Sequence, residues 1–224
     1  QAEDRQFVEQ YLETEPNHLR ARYRQSLYRQ IGRHPLFTVE LLRGMQERGD
    51  LVKDDKGYWV EGKTLEWSRL PSRVEAVIAE RIARLDPSSR EMLEIASVEG
   101  ETFTAEVVAD VCSTGEQEVV RRLGSELDRR HRLVRAQEMQ HLGARRFSRY
   151  RFQHILYQTY LYGNLDAVRR MYLHEAVGNT LEALLAGNPD PDDVPATQLA
   201  RHFQEAHLSE KAGRYLLRAG QQAA

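Results

Sequence analysis

Residues 57–64, Gly-Tyr-Trp-Val-Glu-Gly-Lys-Thr, satisfy the G-x-x-x-x-G-K-T pattern of a phosphate-binding loop letter for letter. Such a loop works by turning main-chain N–H groups inward around a phosphate. It must follow a buried strand and open a helix. Here Lys53-Asp54-Asp55-Lys56 precede it, a poor core strand. Tyr58, Trp59 and Val60 are bulky and favour extended backbone. Only six residues separate Thr64 from Pro71. The sequence predicts a solvent-facing hairpin with Trp59 packed on helices, and no acidic Walker B strand accompanies it. No ATP-hydrolysing site is expected.

Other chemistries have little to build on. There is no G-x-S-x-G, and the single Cys112 reads as a small core residue at a helix-end turn. Glu80, Arg81 and Arg84 have the helical spacing of a solvated face. His131 and His141 lie ten apart, and His202 and His207 five apart. Without H-E-x-x-H or a second cysteine, neither a metal site nor a catalytic constellation is expected.

Two short segments and one charged run remain. Gly32-Arg33-His34-Pro35-Leu36-Phe37 joins two helical patterns, with Gly32 suited to end one and Pro35 to start the next. Tyr150-Arg151-Phe152-Gln153-His154 leaves a strand-like run and enters a helix. An imidazole there can donate one ring N–H to a phosphate oxygen while its carbon face packs on a core. From Arg129 to Arg151 eight arginines meet one acid, Glu138, a local net charge near +7. Arg132, Arg135, Arg145, Arg146, Arg149 and Arg151 form a basic patch for docking or for nucleic acid. The neighbouring helical stretch 115–130 balances Glu116, Glu118, Glu126 and Asp128 against Arg121, Arg122, Arg129 and Arg130. A groove-reading helix is normally far more basic, so DNA binding is the weaker expectation.

The elements that must position these residues are mostly helices. Helices are expected at 2–14 and 18–31, with Asn17 as N-cap of the second. Pro35 opens another helix, burying Leu36, Phe37, Val39, Leu41, Leu42 and Met45. Residues 51–60 read as a β-hairpin. Ser72 and Glu75 form a capping box for the next helix. Asp86 caps and Pro87 starts a second unit of three short helices, about 88–98, 104–112 and 115–131. The last is preceded by a Thr114–Gln117 capping box. Strands at about 132–138 and 146–153 follow, then helices at 155–162 and 165–186. After the turn-rich linker 187–193, helices at 195–206 and 209–222 form a hairpin. The fold class expected is mainly α with two small β-hairpins.

The order of these parts resembles the region following the ATPase core in the STAND class of bacterial signal-transduction ATPases, which are AAA-like. The resemblance runs from about residue 17 to the end. It implies a helical lid (1–86), a winged-helix domain (87–163), and a helical arm leading into a first tetratricopeptide-like hairpin (164–224). It further implies that Gly32 and Pro35 sit against an adenine and that His154 reads the diphosphate. The chain is then a non-catalytic switch fragment, coupling nucleotide state to effector binding. ATP or ADP would be the cofactor of a full-length parent, bound weakly or not at all by this fragment. Implied partners are the upstream ATPase core, downstream repeats, and a protein or small-molecule effector. A winged-helix DNA-binding regulator and a helical-repeat scaffold remain as alternatives.

Composition agrees with a soluble fragment. The chain has 224 residues, is 41% hydrophobic and 29% charged, and carries a net charge of −2. Mean hydropathy is −0.65. No apolar run spans a bilayer, no leader is evident, and a lone cysteine fits a reducing cytosol, so a cytoplasmic location without membrane contact is expected. Both ends look cut from longer helical sequence, and a single repeat-type hairpin cannot bury its own apolar face.

Overall fold

The computed structural model describes residues 2–31, 35–62, 72–142, 145–185 and 196–222. The chain is mainly helical. Its contacts group it into two compact units, residues 1–84 with 154–160, and residues 85–153 with 161–224.

The first unit contains α1 (Ala2–Glu13), α2 (Ala21–Ile31), α3 (Pro35–Arg48), β1 (Leu51–Lys53), β2 (Trp59–Glu61) and α4 (Ser72–Ala83). Its core is built from helical-spaced side chains, among them Leu12, Leu27, Leu41, Met45, Val74 and Ile78. Of the apolar face foreseen for α3, Leu41, Leu42 and Met45 are buried and Val39 is half-buried. The side chains of Leu36 and Phe37 lie outside the described residues. Asn17 does not cap α2, which begins four residues later. Its amide instead donates to the carbonyl of Leu12 at 2.7 Å, an orphan acceptor at the end of α1, and to that of Glu15 at 3.1 Å in the following turn.

The second unit runs α5 (Pro87–Glu99), β3 (Thr102–Thr104), α6 (Ala105–Val111) and α7 (Glu116–Arg122), which continues as a π-helix over Leu123–Arg130. Then come β4 (Val134–Ala136), β5 (Gln140–Leu142), β6 (Arg145–Phe147) and β7 (Arg149–Phe152). The strands β3, β7 and β4 form one antiparallel sheet in that order, while β5 and β6 pair as a separate hairpin. Helix α8 (Ile155–Gly163) begins in the first unit and ends in the second. Helices α9 (Ala167–Leu185), α10 (Ala196–Glu205) and α11 (Ser209–Gln222) complete the second unit.

Asp86 caps α5 as its sequence position predicts, accepting from the Ser89 amide at 3.0 Å with Pro87 in the first turn. The Thr114–Gln117 capping box does not form. Gly115 occupies the N-cap of α7, and the Thr114 hydroxyl donates to the Cys112 carbonyl at 3.3 Å. Cys112 is half-buried rather than core, with its thiol pushed up to about 11 by burial. The strand β3 was not foreseen. Its burial does not alternate: Thr102 is half-buried while Phe103 and Thr104 are both buried, Phe103 against Tyr150 and Phe152. Among the described residues no helix is long and apolar enough to cross a membrane.

Candidate functional site

Residues 57–62 of the phosphate-loop match form a hairpin. Gly57 turns with φ 82°, and Trp59 pairs with Lys53 across β1 and β2. The main-chain N–H groups are already engaged. Tyr58 donates to Asp54 Oδ1 at 2.9 Å, Trp59 to the Pro16 carbonyl at 3.0 Å, and Gly62 to the Asp50 carbonyl at 2.8 Å. Gly62 is required for close approach, because a Cβ there would lie 2.1 Å from the Gly49 carbonyl oxygen. Lys63 and Thr64 lie outside the described residues. Trp59 is half-buried at the hairpin, its indole N–H donating to Glu15 at 2.8 Å beneath the Lys53 ammonium.

Of the nucleotide-sensing candidates, Gly32 lies outside the described residues. Pro35 is the first residue of α3, as its fixed φ favours. His154 is 8% exposed and tilts against Tyr157, ring centroids 5.9 Å apart. Tyr157 is itself anchored by Arg81 of α4, whose guanidinium donates to the phenol at 2.7 Å. Pro35 and His154 belong to the same compact unit.

The arginine run divides into two populations. On the outer face of the three-stranded sheet, register sets Thr102, Arg151 and Arg135 in one row and Thr104 and Arg149 in the next. Arg149 donates to Glu99 at 3.1 Å and to the Thr104 hydroxyl at 2.6 Å. Glu99, at the end of α5, is 3% exposed and also accepts from the Thr104 amide at 2.9 Å. Burial raises the Glu99 pKa, against the pull of Thr104 and Arg149. Arg151 pairs with Glu101 at 2.8 Å through Nε. Arg149 therefore ties β7 to β3 and α5, Arg151 is occupied by an exposed ion pair, and Glu99 covers the Thr104 amide on the open edge of β3.

Arg129, Arg130, Arg132, Arg135 and Arg146 are exposed, and no ion pair holds them among the described residues. Arg132 has φ 52° where a helix end usually takes glycine. Its amide and that of Leu133 close the helix onto the Asp128 and Leu127 carbonyls. The side chain of Arg145 lies outside the described residues. An open cleft of about 470 Å³ lies against the outer sheet face, lined by Thr102, Gln137, Glu138, Met139 and Arg149. On α7 the charges cancel in place. Glu118 accepts from Arg121 at 2.7 Å and Arg122 at 2.6 Å, and these bonds hold its carboxyl down at about 2.

One polar cluster escaped the sequence reading. His174 of α9 and His202 of α10 meet Nδ1 to Nδ1 at 2.9 Å, and Tyr162 Oη lies 2.9 Å from His174 Nε2. The rings are 1% and 0% exposed. Each histidine sits on an apolar helical stripe, His174 with Val177 and Leu181, His202 with Leu199 and Ala206. That signal reveals burial but not the pairing of positions 28 apart. Among the described residues no group of three or more His, Cys, Asp or Glu is placed to hold a metal ion. No family model, curated protein or solved structure matches this chain.

Proposed function

We propose that this chain is a docking and switch module of a nucleotide-dependent regulator of the STAND type, with residues 87–163 a winged-helix domain and the α10–α11 hairpin of tetratricopeptide type. The chain order α5–β3–α6–α7–β4–β7 with sheet order β3-β7-β4 supports the winged-helix reading. The observation that carries docking over DNA reading is the split of the arginines. Arg149 serves the sheet, Arg151 is paired with Glu101, and Arg121 and Arg122 of the third helix are held by Glu118. The uncommitted cations sit at the helix end and on β4 and β6, where an acidic protein surface can meet them.

In this reading Gly32, Pro35 and His154 face nucleotide held by an ATPase core. His154, so little exposed, offers one ring-edge hydrogen bond and acts as a reporter. Release of that bond frees the winged-helix unit to rotate, a ligand-biased rigid-body switch. The residues of this chain perform no chemistry on the nucleotide. The exposed arginines also favour a second reading, a winged helix that binds DNA phosphates.

Fluorescence anisotropy with a short duplex at ~50 mM and ~200 mM salt separates the two. The docking reading expects weak binding that vanishes at the higher salt. Tight duplex binding at ~200 mM, abolished by reversing Arg132, Arg135 and Arg146, establishes the DNA reading instead. For the sensor, His154→Ala in the parent protein should change the ADP dissociation rate at least several-fold. An unchanged rate removes His154 from the switch.

A further inference from the structure

Tyr162, His174 and His202 come from three helices, α8, α9 and α10, and form one chain of ring contacts within the second unit. Two neutral imidazoles that share an Nδ1···Nδ1 hydrogen bond must be in opposite tautomers at that nitrogen. If His202 donates through Nδ1–H, His174 accepts there and its Nε2–H donates to Tyr162 Oη. His202 Nε2 is then a bare lone pair, and that atom is buried with no hydrogen-bond partner. In the opposite arrangement Nε2 carries the buried hydrogen. A proton added to His202 places a charged N–H where no acceptor lies among the described residues. A proton added to His174 Nδ1 points a second donor at the His202 N–H. The neutral pair fits its site and the charged pair does not.

We propose that the His174–His202 pair is a proton-sensitive latch, holding α10 and α11 against α9 at neutral pH and loosening them as the solution turns mildly acidic. This inference stands apart from the docking reading above. Among the described residues no carboxylate acts on either ring as a counter-charge. Arg201 on α10 and Arg170 on α9 both act against charging the rings. Arg170 is occupied by the Tyr162 ring, 4.6 Å away, and by the Leu165 carbonyl at 2.9 Å. Glu205 acts on Tyr162 rather than on either histidine. From α5, Glu94 is paired with Arg169 and Glu99 with Arg149. From α11, Lys211 is paired with Glu182 of α9. Burial, then Arg201, brings His174 down to about 4 and His202 to about 3 from an ordinary 6.5.

The sign follows from linkage. Folded pKa values below the unfolded ones give stability that is complete above about pH 6.5 and lost as pH falls toward the folded values. Packing adds to the response. Gly178 of α9 lies so close to α10 that a Cβ there would sit 3.1 Å from the Phe203 ring and 3.2 Å from the His202 Cβ. An interface this close has little slack for rearranging the rings in place, so relief comes by separation of the helices.

The test is amide hydrogen exchange of the full chain at pH 7.5 and 5.5, corrected for intrinsic exchange rates. Two histidines that titrate normally when exposed each favour opening by about ten-fold at pH 5.5, so the opening constant of α10 should rise up to about 100-fold. The H174Q/H202Q double variant should lose this rise. A wild-type α10 whose protection does not fall between these pH values overturns the latch, as does an equal fall in the double variant. If the variant fails to fold, the ring carbon shifts of wild-type His174 and His202 decide. Both rings remaining neutral in the folded chain at pH 5.5 supports the latch. Either ring titrating near pH 6.5 in the folded chain overturns it.

Discussion

Arg201 Nη2 lies 2.8 Å from the main-chain carbonyl oxygen of Glu99 and 3.2 Å from that of Val98. A side chain of α10 thus satisfies two orphan acceptors at the C-terminus of α5, where the helix dipole also favours a cation. Arg201→Ala leaves both carbonyls without that donor. The expected loss is about 2–3 kcal/mol in chemical denaturation. Arg201→Lys, with a single-point charge, should recover part of it. A loss below about 0.5 kcal/mol in the alanine variant would show that water replaces the guanidinium at no cost.

The Glu99–Arg149 pair makes a sharper case because the carboxylate is 3% exposed. Arg149→Met strands a buried negative charge and should cost about 3–5 kcal/mol near neutral pH. The pKa of Glu99 is raised by burial, so its stabilising protonated form prevails at low pH and is lost as pH rises. Without Arg149 that pKa rises further. The gap between variant and wild type should therefore shrink as pH is lowered toward the ordinary carboxylate value of 4.5. Urea denaturation of both proteins across pH 4.5–7.5 reads this directly, and a pH-independent gap would contradict the assignment of the cost to an uncompensated charge.

Surface and structural arginines should separate cleanly. The triple variant R132E/R135E/R146E removes only exposed cations, and its thermal unfolding should shift by no more than about 1 kcal/mol in stability. The single change Arg149→Glu places like charges together in a buried site and should abolish the cooperative unfolding of the second unit, read by circular dichroism. A triple variant that unfolds would show the exposed arginines to be structural after all.

Gly62 and Lys63 test the phosphate-loop look-alike. Gly62→Ala pushes a methyl group to 2.1 Å from the Gly49 carbonyl oxygen and should destabilise the β1–β2 hairpin by more than about 2 kcal/mol. Lys63→Ala should leave any nucleotide affinity of this chain unchanged in isothermal titration. A loss of binding in that variant would restore a phosphate-binding role to the segment.

Local chemistry was legible wherever a few neighbouring residues decide the outcome. Asp86-Pro87 announces the start of α5, Gly57 marks the turn of the hairpin, and the apolar spacing of Val74, Ile78 and Ile82 marks α4. These depend on dihedral preference, capping and periodicity, all short-range. The same reasoning misread Asn17 and Thr114, because a short polar side chain serves either the helix before it or the one after it. It passed over β3, since three residues carry too little periodicity to announce a strand.

The sequence by itself determined that this chain is mainly helical, that it carries a concentrated arginine run, and that residues 57–62 of its phosphate-loop pattern lie in a hairpin. Tertiary structure alone decided which arginines are spent, because Glu99 and Glu101 lie 50 residues before their partners and meet them only through the β3–β7 register. It alone brought His174 and His202 together. Side-chain pairing across elements depends on how helices pack and strands register, and those are set by the whole core rather than by any window of sequence.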